Sequence, residues 1–277
     1  MNKLSTEKRA AVLASLVEGN SIRSTVRMTG VAKNTVTKLL VEAGAVCATY
    51  QDKVLRDLTC KKIQCDEIWA YCYAKDKNVP ADKRGQFGFG DVWTWTAIDP
   101  DTKLVVSWLV GLRNLEWAKA FMKDVQKRLA NRVQLTTDGH KVYFEAVDEA
   151  FGADVDYAML VKLYGKESAG EARYSPPKCI GCRRQKLMGN PDPKDISTSM
   201  AERQNLTMRM NMRRFTRLTN AFSKKIENLE AAVALHFMYY NFVRIHQTLR
   251  VSPAMAAGVT DHLWEISDII NLLNKSN

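Results

Sequence analysis

The chain has 277 residues, 46% of them apolar, and 41 lysines and arginines against 30 aspartates and glutamates, for a net charge of +11. That size suits one large domain with one or two small ones, and there is no low-complexity tract or solenoid repeat. No apolar run reaches the length of a membrane span, MNKLSTEKRA lacks the apolar core of a secretory signal, and six cysteines without a signal suggest reduced thiols in the cytoplasm.

Residues 6–18, TEKRAAVLASLVE, place Leu13, Leu16 and Val17 on one stripe with Thr6 as cap, which predicts a helix. Gly19-Asn20 stops it, and Ser21 opens a second, SIRSTVRMT, with Ile22 and Val26 inward. After Gly30-Val31, AKNTVTKLLVEAG turns Val36, Leu39 and Leu40 inward and Lys33, Asn34, Thr37 and Lys38 outward, and Gly44 is expected to end it. Short helix, glycine-bearing turn and a helix with a basic outer face form a helix-turn-helix pattern, whose second helix can enter a DNA major groove. A plain three-helix packing module shares that pattern. Residues 1–58 are read as this all-α DNA-binding domain, with Lys53 to Lys61 as its linker.

From Lys61 the period changes. KKIQCDEIWAYCY, DVWTWTAID and LVVSWLVGL read as three antiparallel strands. LEWAKAFMKDVQKRLANR follows as a helix with Trp117, Phe121 and Val125 on one stripe. VQLTTDGH, KVYFEAVDEAFG and DYAMLVKLY then read as strand, helix and strand, and a last helix begins near Ser199. This order matches the ribonuclease H-like fold, an α/β domain with a mixed five-stranded sheet and flanking helices, over residues 59–225. In it the middle of the first strand lies beside the end of the fourth, which brings Asp66 towards Asp138. Alternation puts Gln64, Asp66 and Ile68 on one face and Cys65, Glu67 and Trp69 on the other, so Glu67 is expected to lie outside the site of Asp66.

Residues 162–225 carry fifteen basic and five acidic groups, which concentrates the excess charge in one block and points to an extended polyanion. Within it, TSMAERQNLTMRMNMRRFTRLTNAFSKK keeps one acid, Glu202, among seven basic residues. On a helix, Asn205, Arg209 and Arg213 fall within about 60° of Glu202. Asp66, Asp138 and Glu202 thus offer three carboxylates from distant segments, a donor set suited to paired Mg²⁺ ions and phosphoryl displacement, with the arginines on phosphate. Glu67 and Glu227 are the competing acids.

The combination TSMAERQN…RRFTRLTNAFSKK…YYNFVRIHQTLRVSPAMAAG, with CDEIW and TTDGH upstream, resembles prokaryotic insertion-sequence transposases of the DDE class and is similar to the insertion-sequence-one group over almost the whole chain. The resemblance implies Asp66, Asp138 and Glu202 as the metal-binding catalytic triad, with Asn205, Arg209 and Arg213 as accessory groups. It further implies Mg²⁺, with Mn²⁺ able to substitute, cleavage at transposon ends and attack of the freed 3′-OH on target DNA. Expected partners are double-stranded DNA and further copies of the chain; a nucleoid location follows, with no membrane and no nucleotide cofactor. Asp138 and Glu202 lie farther apart in sequence than in many relatives. A nuclease of the same fold without strand transfer, and a helix-turn-helix repressor, are the alternatives.

That longer spacing corresponds to residues 165–197, read as a loop-rich basic insertion touching DNA through Arg173, Lys178, Arg183, Arg184 and Lys186. Cys179-x-x-Cys182 supplies half of a zinc site, which Cys60, Cys65 or Cys72 would have to complete. GQFGFG and GKES lack the sequence and context of phosphate-binding loops. His140 reads as closing a turn, and His236 and His246 as packing and capping residues of a C-terminal helical region, 226–277.

Overall fold

The computed structural model describes residues 4–165, 179–216 and 219–275. The N-terminal part holds three helices: α1 (Thr6–Val17), α2 (Ile22–Thr29) and α3 (Lys33–Val54). Ser5 and Ser21 cap the first two by accepting backbone N–H bonds, and Gly30 ends α2 in the left-handed conformation at φ 69°. Val36, Leu39 and Leu40 are buried as expected, while Lys33, Asn34 and Lys38 are exposed and Thr37 is half-buried.

Gly44 does not end α3. The helix runs on to Val54, nearly three turns past it, because the glycine serves close packing: a Cβ there would sit 2.4 Å from the Ala231 Cα of α7 (Ile226–Met238). The segment after α3 is packed as well. Leu55 is fully buried, its carbonyl accepts from Arg128 Nη1 at 3.2 Å, and Arg128 Nη2 bonds Asp52 at 2.9 Å. Residues 53–61 are therefore fastened to the core rather than a free tether.

The centre is a mixed sheet of six strands: β1 (Lys62–Cys72), β2 (Gly90–Ile98), β3 (Val105–Gly111), β4 (Val133–Asp138), β5 (Val155–Tyr164) and β6 (Cys179–Met188). Their order is β3-β2-β1-β4-β5-β6. β1–β2–β3 and β5–β6 pair antiparallel, and β4 runs parallel to both β1 and β5. The first five strands in this order are consistent with a ribonuclease H-like sheet. The sixth lies in the stretch read from sequence as loop. Its lysines and arginines hid the strand, since an exposed edge strand needs no apolar alternation and charge keeps the edge from pairing with other chains.

α4 (Leu115–Arg128) and α5 (Val142–Phe151) cover one face, where Trp95 of β2 packs against Phe121 and Tyr143. α6 (Ser199–Asn211) lies on the other, where Gln64 accepts from the Met200 N–H at 2.8 Å. The outer edge of β3 is closed by Asn241, whose side-chain amide bonds both the N–H and the carbonyl of Val105 at 3.0 Å. The short helix α8 (Pro253–Ala256) and α9 (Ile266–Lys275) complete the C-terminal region, the latter packing against α1 and α3. None of the described helices is long and apolar enough to cross a membrane.

Candidate metal centre

β1 and β4 are paired only from Lys62↔Gln134 to Gln64↔Thr136. Asp66 lies just past that ladder, and Asp138 is the last residue of β4, so both carboxylates stand where the two strands are no longer joined. Asp66 Oδ1 accepts from the Glu67 N–H and Oδ2 from Asn205 Nδ2, both at 2.9 Å. Asp138 Oδ1 accepts from the His140 N–H at 2.9 Å, which fixes the turn after β4. Asp66 and Asp138 thus stand together, and Asn205, expected beside Glu202, bonds Asp66.

Glu202 reaches the same cleft from the first turn of α6, but its carboxylate is already engaged. Oε1 accepts from the Thr198 hydroxyl and Oε2 pairs with Lys162 Nζ of β5, each at 2.6 Å. Asp66, Asp138, Glu202, Lys162 and Arg113 line one open cleft of about 510 Å³. Lys162 and Arg113 escaped sequence reading: nothing local marks them, and only the sheet order brings β5 and the end of β3 to these acids.

Glu67 contradicts its expected separation. Oxygen atoms of Asp66, Glu67 and Asp138 all lie within 4.8 Å of one another. Alternation still holds, with Asp66 turned to α6 and Glu67 to α5. Beyond Gln64↔Thr136, however, no ladder divides the faces, and Asp138 is reached from both. Arg113 Nη2 lies 3.5 Å from Glu67 and 3.6 Å from Asp138. Glu227, the other competing acid, is exposed on α7 and does not line the cleft.

The charges are in tension. Burial, reinforced by Asp138, pushes the Asp66 carboxyl up to about 6. Burial and Asp138 push Glu67 up to about 8 against the pull of Arg113. A crowded set of carboxylates, with Asp66 and Glu67 pushed up in this way, is what a hard divalent cation relieves. The buried Glu67 Oε1 atom closes no full hydrogen bond, although the Tyr143 hydroxyl beside the carboxylate eases its charge, so the donor set fits such an ion. His140 is lowered by burial and by Arg113, and its ring stacks on Trp95.

A second concavity, about 1230 Å³, lies between α3 and the chain that follows α6. Lys33, Asn34, Thr37 and Lys38 line it together with Arg213, Lys224 and Lys225. The structure thus gathers the four N-terminal candidates, but separates Arg213 from Glu202. α6 stops at Asn211 and Met212 is extended at φ −126°, so helical projection does not carry to Arg213, which is exposed in a short 3₁₀ turn. Arg209 remains on α6, half-buried.

Arg183, Arg184 and Lys186 are exposed on β6, alongside β5. Arg173 and Lys178 lie outside the described residues. Cys179 and Cys182 are exposed on β6, while Cys60, Cys65 and Cys72 are buried. Among the described residues, neither exposed cysteine belongs to a group of three potential metal ligands.

No family model matches the chain. No curated protein matches it either. Among solved structures it is similar to a piggyBac transposase in a synaptic complex with hairpin DNA, with 10% identity and a TM-score of 0.43 over 100% of this chain and 71% of that one.

Proposed function

We propose that the chain is a DNA transposase of the DDE class, with a metal-dependent strand-cleaving and strand-joining centre at Asp66, Asp138 and Glu202. The observation that carries this reading is the convergence of three sequence-distant carboxylates on one open cleft that also holds Lys162 and Arg113. Asp66, Asp138 and Glu202 would hold Mg²⁺ or Mn²⁺. When bound, such ions supply Lewis acidity for in-line displacement at phosphorus. Asn205 fixes the Asp66 carboxylate through its amide. Lys162 holds the Glu202 carboxylate through its ion pair, and both it and Arg113 would meet phosphate oxygens.

DNA is held, on this reading, by the groove between α3 and residues 213–214 and 219–225, with α2 and α3 as a helix-turn-helix. Lys33 and Lys38 meet phosphate, Asn34 and Thr37 face base edges, and Arg183, Arg184 and Lys186 extend the basic surface beside the cleft. The chain acts as an oligomer on DNA ends, without a nucleotide cofactor. A nuclease of the same fold would share the cleft and stop after cleavage. A repressor would have no use for a buried acid cluster, whose self-repulsion costs stability when no cation is bound.

The test uses DNA carrying the sequences that flank the coding region. Mg²⁺-dependent cleavage followed by joining of labelled ends is expected. Cleavage without joining supports the nuclease, and binding without cleavage the repressor.

A further inference from the structure

The most enclosed acid of the cluster is the one outside the proposed triad. The Glu67 side chain is 1% exposed. Beside this carboxylate stands the Tyr143 hydroxyl, which draws the Glu67 carboxyl down against its burial, yet neither Oε1 nor that hydroxyl closes to a full hydrogen bond. A buried carboxylate oxygen left in this state is costly, and such an atom persists where something else at times satisfies it. Its other oxygen faces Arg113 Nη2, which is also the nearest cation to Asp138. Distances of 3.5 and 3.6 Å are long for hydrogen bonds, so one guanidinium nitrogen stands between two acids without closing on either. Arg113 is one-third exposed and lies over the Trp93 ring at 4.8 Å, a position from which its head can turn towards solvent while the stacking is kept.

We infer that Glu67 is a fourth carboxylate of the metal centre, joining Asp66 and Asp138 from the opposite face of the sheet, and that Arg113 holds the place of a divalent cation until one binds. The inference rests on the metal reading of Asp66 and Asp138. The ligand is a hard divalent ion that takes oxygen donors, and entry of that ion releases Arg113 towards the cleft mouth. If Glu67 served only to anchor Arg113, its replacement would loosen that arginine and leave metal affinity no weaker than in the wild type.

The two roles give opposite signs. Mn²⁺ binding to the full chain, without DNA, is measured by titration calorimetry and by the electron paramagnetic resonance signal of free Mn²⁺. Glu67→Gln is expected to weaken binding by about tenfold or more, the cost of one lost ligand environment. Arg113→Gln is expected to tighten it severalfold, because no bound guanidinium has to be displaced. Melting in chelator reports on the fold: Glu67→Gln should melt no lower than wild type there, and gain less on adding Mn²⁺. Wild-type affinity in a folded Glu67→Gln protein would overturn the ligand role, and weaker binding in Arg113→Gln would overturn the placeholder role. Absence of Mn²⁺ binding by the wild type would remove the metal reading itself, which the variants alone leave standing.

Discussion

At Asn205 a single amide reaches the Asp66 carboxylate at 2.9 Å and the Glu67 carbonyl at 3.4 Å, tying α6 to the strand that carries both acids. Replacing it with alanine leaves Asp66 Oδ2 without its donor and free to turn. Asn205→Ala should therefore lower metal-dependent cleavage by about 10–100-fold, as loss of an orienting partner does, with the fold retained. A rate within twofold of wild type would show that Asp66 needs no such support. That Asp66, Asp138 and Glu202 would face one cleft was legible in the sequence, because strand alternation and strand order fix where the two aspartates point. Glu67 was not. Alternation describes one strand by itself and is silent on where the neighbouring ladder stops, and it is that stop, after Gln64↔Thr136, that lets Glu67 meet Asp138. Arg213 was misplaced for a related reason: the residues around Asn211 contain no glycine or proline to announce the end of α6.

At the scale of elements, the contact of α3 with α7 is set by Gly44. An added Cβ would fall 2.4–2.5 Å from Ala231 atoms, closer than any packing allows, so the two helices must separate. Gly44→Ala is expected to destabilise the chain by about 1–3 kcal/mol despite the better helix propensity of alanine, read by denaturant unfolding. An unchanged midpoint would mean that α3 and α7 are not in close contact. The sequence allowed a different role for the same residue, since a glycine late in an amphipathic helix reads equally as its end. α7 also carries a pH-sensitive group. His236 is 2% exposed, neither ring nitrogen has a partner, and burial followed by Arg244 lowers it to about 3. Because the folded chain resists a proton that the unfolded chain accepts, its contribution is complete above about pH 6.5 and is lost as pH falls towards 3, by about 2 kcal/mol at pH 5. His236→Phe should flatten that part of the stability profile, and an equal slope in the two proteins would refute the assignment.

Over the whole molecule, two basic surfaces stand out among the described residues. One is the groove that joins α3 to residues 213–214 and 219–225; the other is β6 beside the cleft. The order of the first five strands was legible because each carries its own periodicity, whereas the groove was not, since it is made by elements far apart in the chain. Lys224 and Lys225 are exposed on its wall. Replacing both with alanine should weaken duplex binding at all sequences alike and lower the slope of log affinity against log salt by up to about 2, one per phosphate contact. An unchanged slope would place the DNA elsewhere. The most direct measurement is Mg²⁺-dependent strand cleavage by Asp66→Asn, Asp138→Asn and Glu202→Gln proteins, each checked for an intact melting transition. Cleavage lost in all three, with duplex binding preserved, is the expected result; wild-type cleavage by any one of them would contradict its place in the centre.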